Sequence, residues 1–200
     1  MSDVTSGLFD FDLSYFPKRI AGIDEAGRGP LAGPVVAACC MMPMDEMIDK
    51  INDSKKVSEK TREKLYEIII NKANFGVGIV SAETIDKINI LQATKLAMRN
   101  SFEPLTLKPD IILIDAVGLD LPCATQSIIK GDAKSYNIAA ASIIAKVTRD
   151  RIMRELDEKY PMYGFARNKG YGTAEHIAAL KKYGPCPEHR RTFIKNFVEV

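Results

Sequence analysis

The strongest constraint on the fold is an uninterrupted apolar run that ends in an acidic residue. Ile111-Ile112-Leu113-Ile114 leads directly into Asp115, without the apolar–polar alternation of a strand that has one face in water. The run therefore predicts a strand that is covered on both faces. Helices on both sides of a sheet are the usual cover for such a strand, so we expect an α/β protein.

Further strands and helices are predicted on either side of this run. The other strands are expected at residues 19–24, 35–42, 74–81 and 123–129. Helices are expected at residues 58–71, 82–102, 135–159 and 173–182, with Ser58 and Thr173 as N-terminal caps. In the second helix Ile85, Ile88 and Leu91 lie near helical spacing. This order predicts a mixed sheet of about five strands flanked by helices, with a helical extension at the C-terminal end.

Length and composition indicate one domain. A chain of 200 residues, 46% of them hydrophobic, can bury a core without disulfides. We expect residues 1–18 to be a loosely packed arm and residues from about 160 to 200 to be a helical part that contributes to substrate binding. The four cysteines form no CxxC pair, and the sequence has neither a signal peptide nor an apolar span, so we expect a cytoplasmic protein with reduced thiols.

Charge is distributed unevenly along the chain. Residues 1–133 carry 15 basic and 19 acidic side chains, a net charge of −4, whereas residues 134–200 carry 13 and 7, a net charge of +6. A basic C-terminal third beside an acidic remainder is compatible with a phosphate-binding surface next to a carboxylate site. Many helical surfaces are basic for other reasons, so this pattern does not identify a partner.

Acidic residues follow three of the predicted strands. Asp24 and Glu25 end the first strand, Asp115 ends the apolar run, and Asp132 lies just beyond the fifth strand. If the strand that ends in Asp24 and the strand that ends in Asp115 are parallel neighbours, these two aspartates lie side by side. Carboxylates this close repel one another unless a cation lies between them, and Mg²⁺ and Mn²⁺ prefer oxygen ligands. A single aspartate after a strand is often only a turn or capping residue, but the four acidic residues together predict a metal site.

The segment directly after Asp24 and Glu25 is rich in glycine. Gly27 and Gly29 flank Arg28, and a backbone without side chains can approach a sugar or phosphate closely. A Gly-x-Gly turn also occurs where a chain merely reverses direction. Its position beside the predicted carboxylate site favours a role in substrate binding.

Seven segments resemble the type 2 ribonuclease H family, and within it the bacterial ribonuclease HII type. The first and most specific is residues 21–35, and the strand ending in Asp115 is also part of the pattern. The other segments are residues 52–56, 130–135, 139–150, 170–173 and 189–193. The related ribonuclease HIII type usually has an additional N-terminal domain, so the short segment before the first strand favours HII.

The resemblance implies a fold, an activity and a set of site residues. It implies the ribonuclease H fold and an endonuclease that hydrolyses the RNA strand of RNA–DNA hybrids, including single ribonucleotides in duplex DNA, and so initiates ribonucleotide removal. Two Mg²⁺ or Mn²⁺ ions would be held by Asp24, Glu25, Asp115 and Asp132, and the products would carry 5′-phosphate and 3′-hydroxyl ends. The substrate would be sensed by Gly27, Arg28, Gly29 and Tyr171. We expect a monomer with no obligate protein partner.

Additional phosphate contacts and two rival functions remain open from the sequence. Lys55, Ser142, Lys146 and Arg149 are candidate phosphate contacts, and Lys146 and Arg149 lie three residues apart on one helix face. One rival is a resolvase or transposase that uses the same carboxylates on DNA alone. The other is a non-catalytic nucleic-acid-binding module whose carboxylates hold a structural calcium ion.

Overall fold

The predicted sheet is present, with its five strands close to their expected positions. The computed structural model describes residues 3–115 and 117–199. Its strands are β1 (Ile20–Ala26), β2 (Val35–Met41), β3 (Asn74–Val80), β4 (Ile111–Asp115) and β5 (Ala124–Ile128). They form one mixed sheet in the order β3-β2-β1-β4-β5, in which β1 pairs antiparallel with β2 and parallel with β4.

Seven α-helices accompany the sheet in the described part of the chain. They are α1 (Asp3–Leu13), α2 (Glu59–Lys72), α3 (Ala82–Phe102), α4 (Tyr136–Lys159), α5 (Phe165–Asn168), α6 (Ala174–Tyr183) and α7 (Arg191–Ile194). The predicted caps Ser58 and Thr173 are confirmed, because each side chain accepts a hydrogen bond from the amide three residues later. No helix among the described residues is both long and apolar enough to cross a bilayer.

The parallel pairing of β1 with β4 is confirmed. Ile20 lies opposite Ile111 and Ile23 opposite Ile114, so the next residues in this register are Asp24 and Asp115. Parallel strands end at the same edge of a sheet, and this edge therefore carries the acidic residues of both strands.

The two faces of the sheet are covered by different helices, as the apolar run predicted. Alternate residues of β1 and β4, such as Ile23 and Ile114, pack in a core with α3. On the other face the Ala-rich start of α4 packs against β2 and α2. Small residues allow α4 to lie very close to the sheet. At Gly22 an added Cβ would lie 2.2 Å from both Asn137 C and Ile138 N.

This close approach predicts opposite effects of two glycine-to-alanine changes. Gly22→Ala forces α4 away from β1 and is expected to lower the free energy of unfolding by about 3 kcal/mol. Gly7 is an exposed position of α1 where a Cβ meets nothing within 4 Å. Gly7→Ala is therefore expected to raise the free energy of unfolding by about 0.5 to 1 kcal/mol. Urea denaturation of both variants tests the pair, and equal effects would contradict it.

The prediction that residues 1–18 form a loosely packed arm is wrong. Residues 3–13 form α1, whose Leu8 is buried in the core beside α4. Asp12 is also buried, and its Oδ2 accepts hydrogen bonds of 2.8 Å from both the backbone and the side-chain nitrogen of Asn137. A carboxylate in this position satisfies an unpaired amide in the first turn of α4. The N-terminal segment is thus held by contacts with a helix more than 100 positions away.

The predicted helix at residues 82–102 is interrupted. Asn89 has φ of 65° and ψ of 163°, which is not helical. Its side-chain Oδ1 accepts a hydrogen bond from Gln92 N, so it caps a second helical segment. The break shifts the helical phase, which explains why Leu91 is exposed although Ile85 is buried.

Candidate active site

The four acidic residues lie at one edge of the sheet. Asp24 and Glu25 belong to the last part of β1, and Asp115 is the last residue of β4. Asp132 lies in a short 3₁₀ helix, Gly131–Ala133, that follows β5. The amide of Gly131 donates a 2.7 Å hydrogen bond to Asp115 Oδ1, which ties the turn carrying Asp132 to the end of β4.

These carboxyl groups are crowded and mostly shielded from water. Burial raises the pKa of Asp24 well above its usual value, and the charges of Glu25 and Asp115 raise it further. Burial also raises the pKa of Glu25 and of Asp132. Positive partners offset only part of this cost: Arg28 Nη1 lies 3.5 Å from Glu25 Oε1, and Lys55 Nζ lies 3.9 Å from Asp132 Oδ2. The site therefore has an excess of negative charge.

An excess of buried carboxylate oxygen suits a hard divalent cation. Oxygen is the ligand type that Mg²⁺ and Mn²⁺ prefer, and Glu25 Oε2 is buried without a hydrogen-bond partner. Several of the other oxygens accept hydrogen bonds, such as the 2.8 Å bond from Glu25 N to Asp24 Oδ1. Within the described ranges no three acidic, cysteine or histidine side chains already converge as a finished metal site. The donor set fits such an ion, although its side chains must reorient to surround one.

The glycine-rich turn and Tyr171 face Asp24 and Glu25 across one cavity, while Asp115 and Asp132 line a neighbouring cavity that shares Lys55. This cavity has a volume of about 330 Å³, and its lining residues include Asp24, Glu25, Gly27, Arg28, Gly29, Lys55 and Tyr171. Tyr171 is 47% exposed, and its Cε1 lies 3.7 Å from where a Cβ on Gly29 would be. The predicted substrate-sensing residues are thus brought together beside the carboxylates.

Two buried arginines hold the glycine-rich turn in shape. Arg190 is fully buried and donates hydrogen bonds to the carbonyl oxygens of Gly27, Arg28 and Gly33. Arg149 donates to the carbonyl oxygens of Ala32, Pro34 and Lys169 at 3.0 to 3.1 Å. Five of these six carbonyls belong to residues 27–34. The guanidinium groups therefore supply donors to carbonyls of this turn, in addition to its backbone hydrogen bonds with residues 170, 188 and 190.

The placement of Arg149 does not support its predicted contact with phosphate. Its side chain is 1% exposed and its nitrogens are occupied by backbone carbonyls. Ser142 is also buried, donating to Ala139 O and accepting from Ser54 N, so it anchors the segment before Lys55. Residues three apart on a helix share a face, but the spacing does not tell whether that face meets solvent or another part of the chain.

Lys55 and Lys146 are placed where a phosphate could reach them. Both line the cavity beside the carboxylates. The side chain of Lys55 is 82% exposed, and Lys146 makes a 2.7 Å ion pair with Asp150. Burial lowers the pKa of Lys146, and Asp150 counteracts this effect. Lys55 is therefore the more accessible cation of the two.

Much of the basic charge of the C-terminal third is already paired. Arg151 contacts Glu63 and Glu67, and Arg154 contacts Glu59 and Glu63, all of them residues on α2. These arginines join α4 to α2. The net charge of this third therefore overstates the surface that is available to phosphates.

The role of Arg190 was missed by sequence reasoning. It lies in the segment 189–193 that resembles the family, but an arginine beside a second arginine is more often exposed than buried. A buried arginine is expected only where several acceptors surround it, and these acceptors come from the other end of the chain. No local pattern could have identified them.

His176 and His189 form a buried pair behind Tyr171. Both are at most 1% exposed, their Nε2 atoms lie 3.0 Å apart, and His176 Nδ1 lies 2.9 Å from Tyr171 O. Burial lowers the pKa of both imidazoles, and the pKa of His189 falls to about 4, with the neighbouring His176 and Arg191 adding to the effect. All four cysteines are free, and Cys186 lies beside His189.

These shifts predict that acid destabilises the fold through the histidine pair. A histidine whose pKa is lowered by folding stabilises the protein above its unfolded pKa near 6.5, and this contribution is lost as the pH falls towards about 4. The loss from His189 is expected to be roughly 3 kcal/mol. The raised carboxyl pKa values act in the opposite direction, so we compare wild type with His189→Gln by urea denaturation between pH 7 and pH 4. Identical pH dependence of both proteins would contradict the prediction.

The five-stranded mixed sheet with helices on both faces is a ribonuclease H-like fold, and its acidic edge is the candidate active site. The sequence profile of the family described as Ribonuclease HII matches residues 21–197. The chain belongs to the ribonuclease HII family, and it is accordingly a ribonuclease H, an endonuclease of RNA–DNA hybrids.

Similar proteins of known sequence or structure agree with this assignment. Ribonuclease HII of Acetivibrio thermocellus is 63% identical over 183 residues, which cover 90% of this chain and 72% of that protein. The crystal structure of ribonuclease H2 from Pyrococcus horikoshii has a TM-score of 0.74 at 29% identity and covers 90% of this chain and 99% of that one. A structure of the PCNA:RNase HII complex from Archaeoglobus fulgidus has a TM-score of 0.72 at 32% identity, covering 86% and 93%.

Proposed function

We propose that this enzyme nicks the RNA strand at RNA–DNA junctions, so that a single ribonucleotide embedded in duplex DNA suffices as substrate. The observation that carries this proposal is the cavity in which Asp24 and Glu25, at the acidic edge of the sheet, face the Gly27–Gly29 turn and Tyr171. One side of the cavity could bind the scissile phosphate, and the other carries groups that can hydrogen-bond to a sugar or pack against it. In a cell this activity would initiate the removal of ribonucleotides from DNA.

The residues that would hold divalent ions are Asp24, Glu25, Asp115 and Asp132. Two Mg²⁺ or Mn²⁺ ions, when bound, supply activation of a water for in-line attack and stabilisation of the leaving 3′ oxygen, which gives 5′-phosphate and 3′-hydroxyl ends. The chain itself provides the negative charge that attracts such ions. It also provides a partly buried setting in which their interaction with the phosphate is stronger than in water.

Recognition of RNA requires a group that contacts the 2′-hydroxyl. Backbone amides and carbonyls of Gly27, Arg28 and Gly29 can both donate to and accept from a hydroxyl, and RNA differs from DNA in this group. Tyr171 lies next to Gly29, where its ring can pack on the sugar that follows the ribonucleotide. A deoxyribose at that position would fit the ring most closely, which explains a preference for the junction.

Cations around the cavity would guide the duplex. Among the residues that line the cavity with Asp24 and Glu25, Lys55 and Arg28 are the more accessible positive side chains, and Lys146 lies deeper. The helical part at residues 160–199 contributes Tyr171 and the segment around Arg190 to this side of the site. We propose that it takes part in substrate binding, as expected from the sequence, and that the enzyme acts as a cytoplasmic monomer without an obligate partner.

Cleavage of three matched duplexes tests the proposal. One duplex carries a single ribonucleotide in DNA, the second is a continuous RNA–DNA hybrid and the third is all DNA. Each is incubated with Mg²⁺, with Mn²⁺, with Ca²⁺ or with a chelator. We expect a nick on the 5′ side of the single ribonucleotide with Mg²⁺ or Mn²⁺, no cleavage with the chelator, and an intact all-DNA duplex.

The other outcomes favour the rival functions. Cleavage of the all-DNA duplex would place the enzyme with the DNA resolvases and transposases. Binding of duplex without cleavage, together with thermal stabilisation by Ca²⁺ equal to that by Mg²⁺, would indicate a binding module with a structural calcium site. Cleavage of the long hybrid alone would remove the proposed junction preference.

A further inference from the structure

The buried histidine pair connects two elements that contact the substrate in the proposed function. His189 lies in the segment 188–190, which pairs with the glycine-rich turn: Gly33 N donates to Glu188 O, and Arg190 N donates to Leu31 O, both at 2.8 Å. His176 lies in the first turn of α6, directly after the loop that carries Tyr171. The hydrogen bond between the two imidazoles therefore connects the segment that pairs with the glycine-rich turn to the residue that contacts the backbone of Tyr171.

The partners at both ends of this chain of hydrogen bonds define its direction. The amide of Cys186 can only donate, so His189 Nδ1, 3.0 Å away, is an acceptor and the proton of a neutral His189 is on Nε2. That proton points at His176 Nε2, which must accept it. The proton of His176 is then on Nδ1 and is donated to Tyr171 O, which can only accept. One arrangement of two neutral rings satisfies every contact.

The surroundings leave this arrangement little freedom. Phe165 packs edge-on against His176 with ring centroids 5.4 Å apart, and Tyr163 packs against His189 at 4.7 Å. Gly170, the residue before Tyr171, has φ of 80°, and a Cβ there would lie 2.4 Å from Ala32 O. The loop is thus in contact with the glycine-rich turn on one side and hydrogen-bonded to His176 on the other.

We propose that His176 and His189 are positioning residues that set the distance between Tyr171 and the Gly27–Gly29 turn, and thereby the preference for RNA–DNA junctions. This inference rests on the proposed function. Neither histidine contacts the cavity or the substrate. They act through the backbone of Tyr171, so their loss is expected to change the choice of substrate more than the cleavage step itself.

Two conservative substitutions of His189 separate positioning from packing. Glutamine places an amide nitrogen near the position of Nε2, so His189→Gln keeps the donor to His176. Asparagine places its oxygen near Nδ1, so His189→Asn keeps the acceptor for Cys186 and loses the link to His176. The measured quantity is the ratio of kcat/KM on the single-ribonucleotide duplex to kcat/KM on the continuous hybrid. We expect His189→Asn to lower this ratio about fivefold to tenfold and His189→Gln to stay within about twofold of wild type.

A second pair of variants, at His176, tests the same hydrogen bonds if the His189 variants do not fold. His176→Asn keeps a donor to Tyr171 O but loses the acceptor for His189, whereas His176→Leu has similar bulk and loses both contacts. The ratio should fall in both variants, and further in the leucine variant. Thermal denaturation is recorded for all variants, and a ratio that follows stability rather than the retained hydrogen bond would overturn the inference and leave the pair a purely structural role.

The same variants in a Tyr171→Ala background complete the test. If the histidines act through Tyr171, His189→Asn will lower the ratio no further once the tyrosine ring is absent. An additional full decrease would overturn the inference. A Tyr171→Ala protein with the wild-type ratio would instead show that the proposed junction reading is wrong. If Tyr171→Ala lowers the ratio and the histidine variants do not, the positioning inference alone fails.

Discussion

Asp24→Asn is expected to abolish cleavage while it makes the protein more stable. Asp24 is 7% exposed, and burial raises its pKa, with the charges of Glu25, Asp115 and Asp132 raising it further. A neutral amide removes one of the charges that a divalent ion needs, and cleavage should fall at least about 1,000-fold. The same change removes a buried charge among like charges, so without divalent ions the free energy of unfolding should rise by on the order of 1 kcal/mol.

Asparagine is a suitable probe because it preserves the local structure. Its Oδ1 can still accept the hydrogen bond that Glu25 N donates to Asp24. Asp110→Asn serves as the control, since Asp110 is an exposed carboxylate that pairs with Arg19 at the opposite end of the same strand pair. The control should cleave at the wild-type rate. Single-turnover cleavage with a divalent ion gives the activity, and thermal denaturation in a chelator gives the stability. A variant that is inactive but less stable would contradict the electrostatic argument.

Arg190→Met is expected to be the most destabilising of the substitutions considered. The guanidinium donates to the carbonyls of three residues, of which Gly27 and Gly33 are buried, and methionine can fill part of the volume but donates to none of them. Each unsatisfied buried acceptor costs about 1 to 3 kcal/mol, so the free energy of unfolding should fall by about 4 kcal/mol or more. Cleavage should decrease as well, because the turn that contains Gly27 and Gly29 loses its support.

Arg190→Lys tests whether charge or geometry matters at this site. Burial, with a further contribution from the charge of Arg149, lowers the pKa of Arg190 to about 9, so the group stays charged at neutral pH. A lysine keeps a charge but has a single nitrogen, which cannot reach carbonyls of three residues at once. We expect it to lower stability by at least half as much as methionine does. Arg191→Ala, at the exposed neighbouring position, should change stability by less than about 0.5 kcal/mol. Equal effects at positions 190 and 191 in urea denaturation would contradict the proposed support.

The sequence was sufficient to predict the sheet and the acidic edge. An apolar run such as Ile111–Ile114 indicates a strand that is buried on both faces. An acidic residue at its end indicates the edge of the sheet at which parallel strands end. Both signals are local in sequence. The parallel pairing of β1 with β4 then brings Asp24 and Asp115 to the same edge. The predicted helix boundaries were less accurate where a polar side chain caps a helix. Asn89 interrupts α3, which the sequence predicted as one continuous helix.

What only the tertiary structure decided is which polar side chains are buried and what they contact. Arg149 and Lys146 lie on the same helix, yet Arg149 supports backbone carbonyls while Lys146 reaches the cavity. Arg190 contacts carbonyls 157 to 163 positions earlier in the chain, and α1 is held by a contact between Asp12 and Asn137. A buried polar group is stable only when its partners are in place, and those partners are distant in sequence. The sequence by itself therefore determined the sheet, its acidic edge and the family, whereas long-range hydrogen bonds determined how the turn and Tyr171 are held beside that edge.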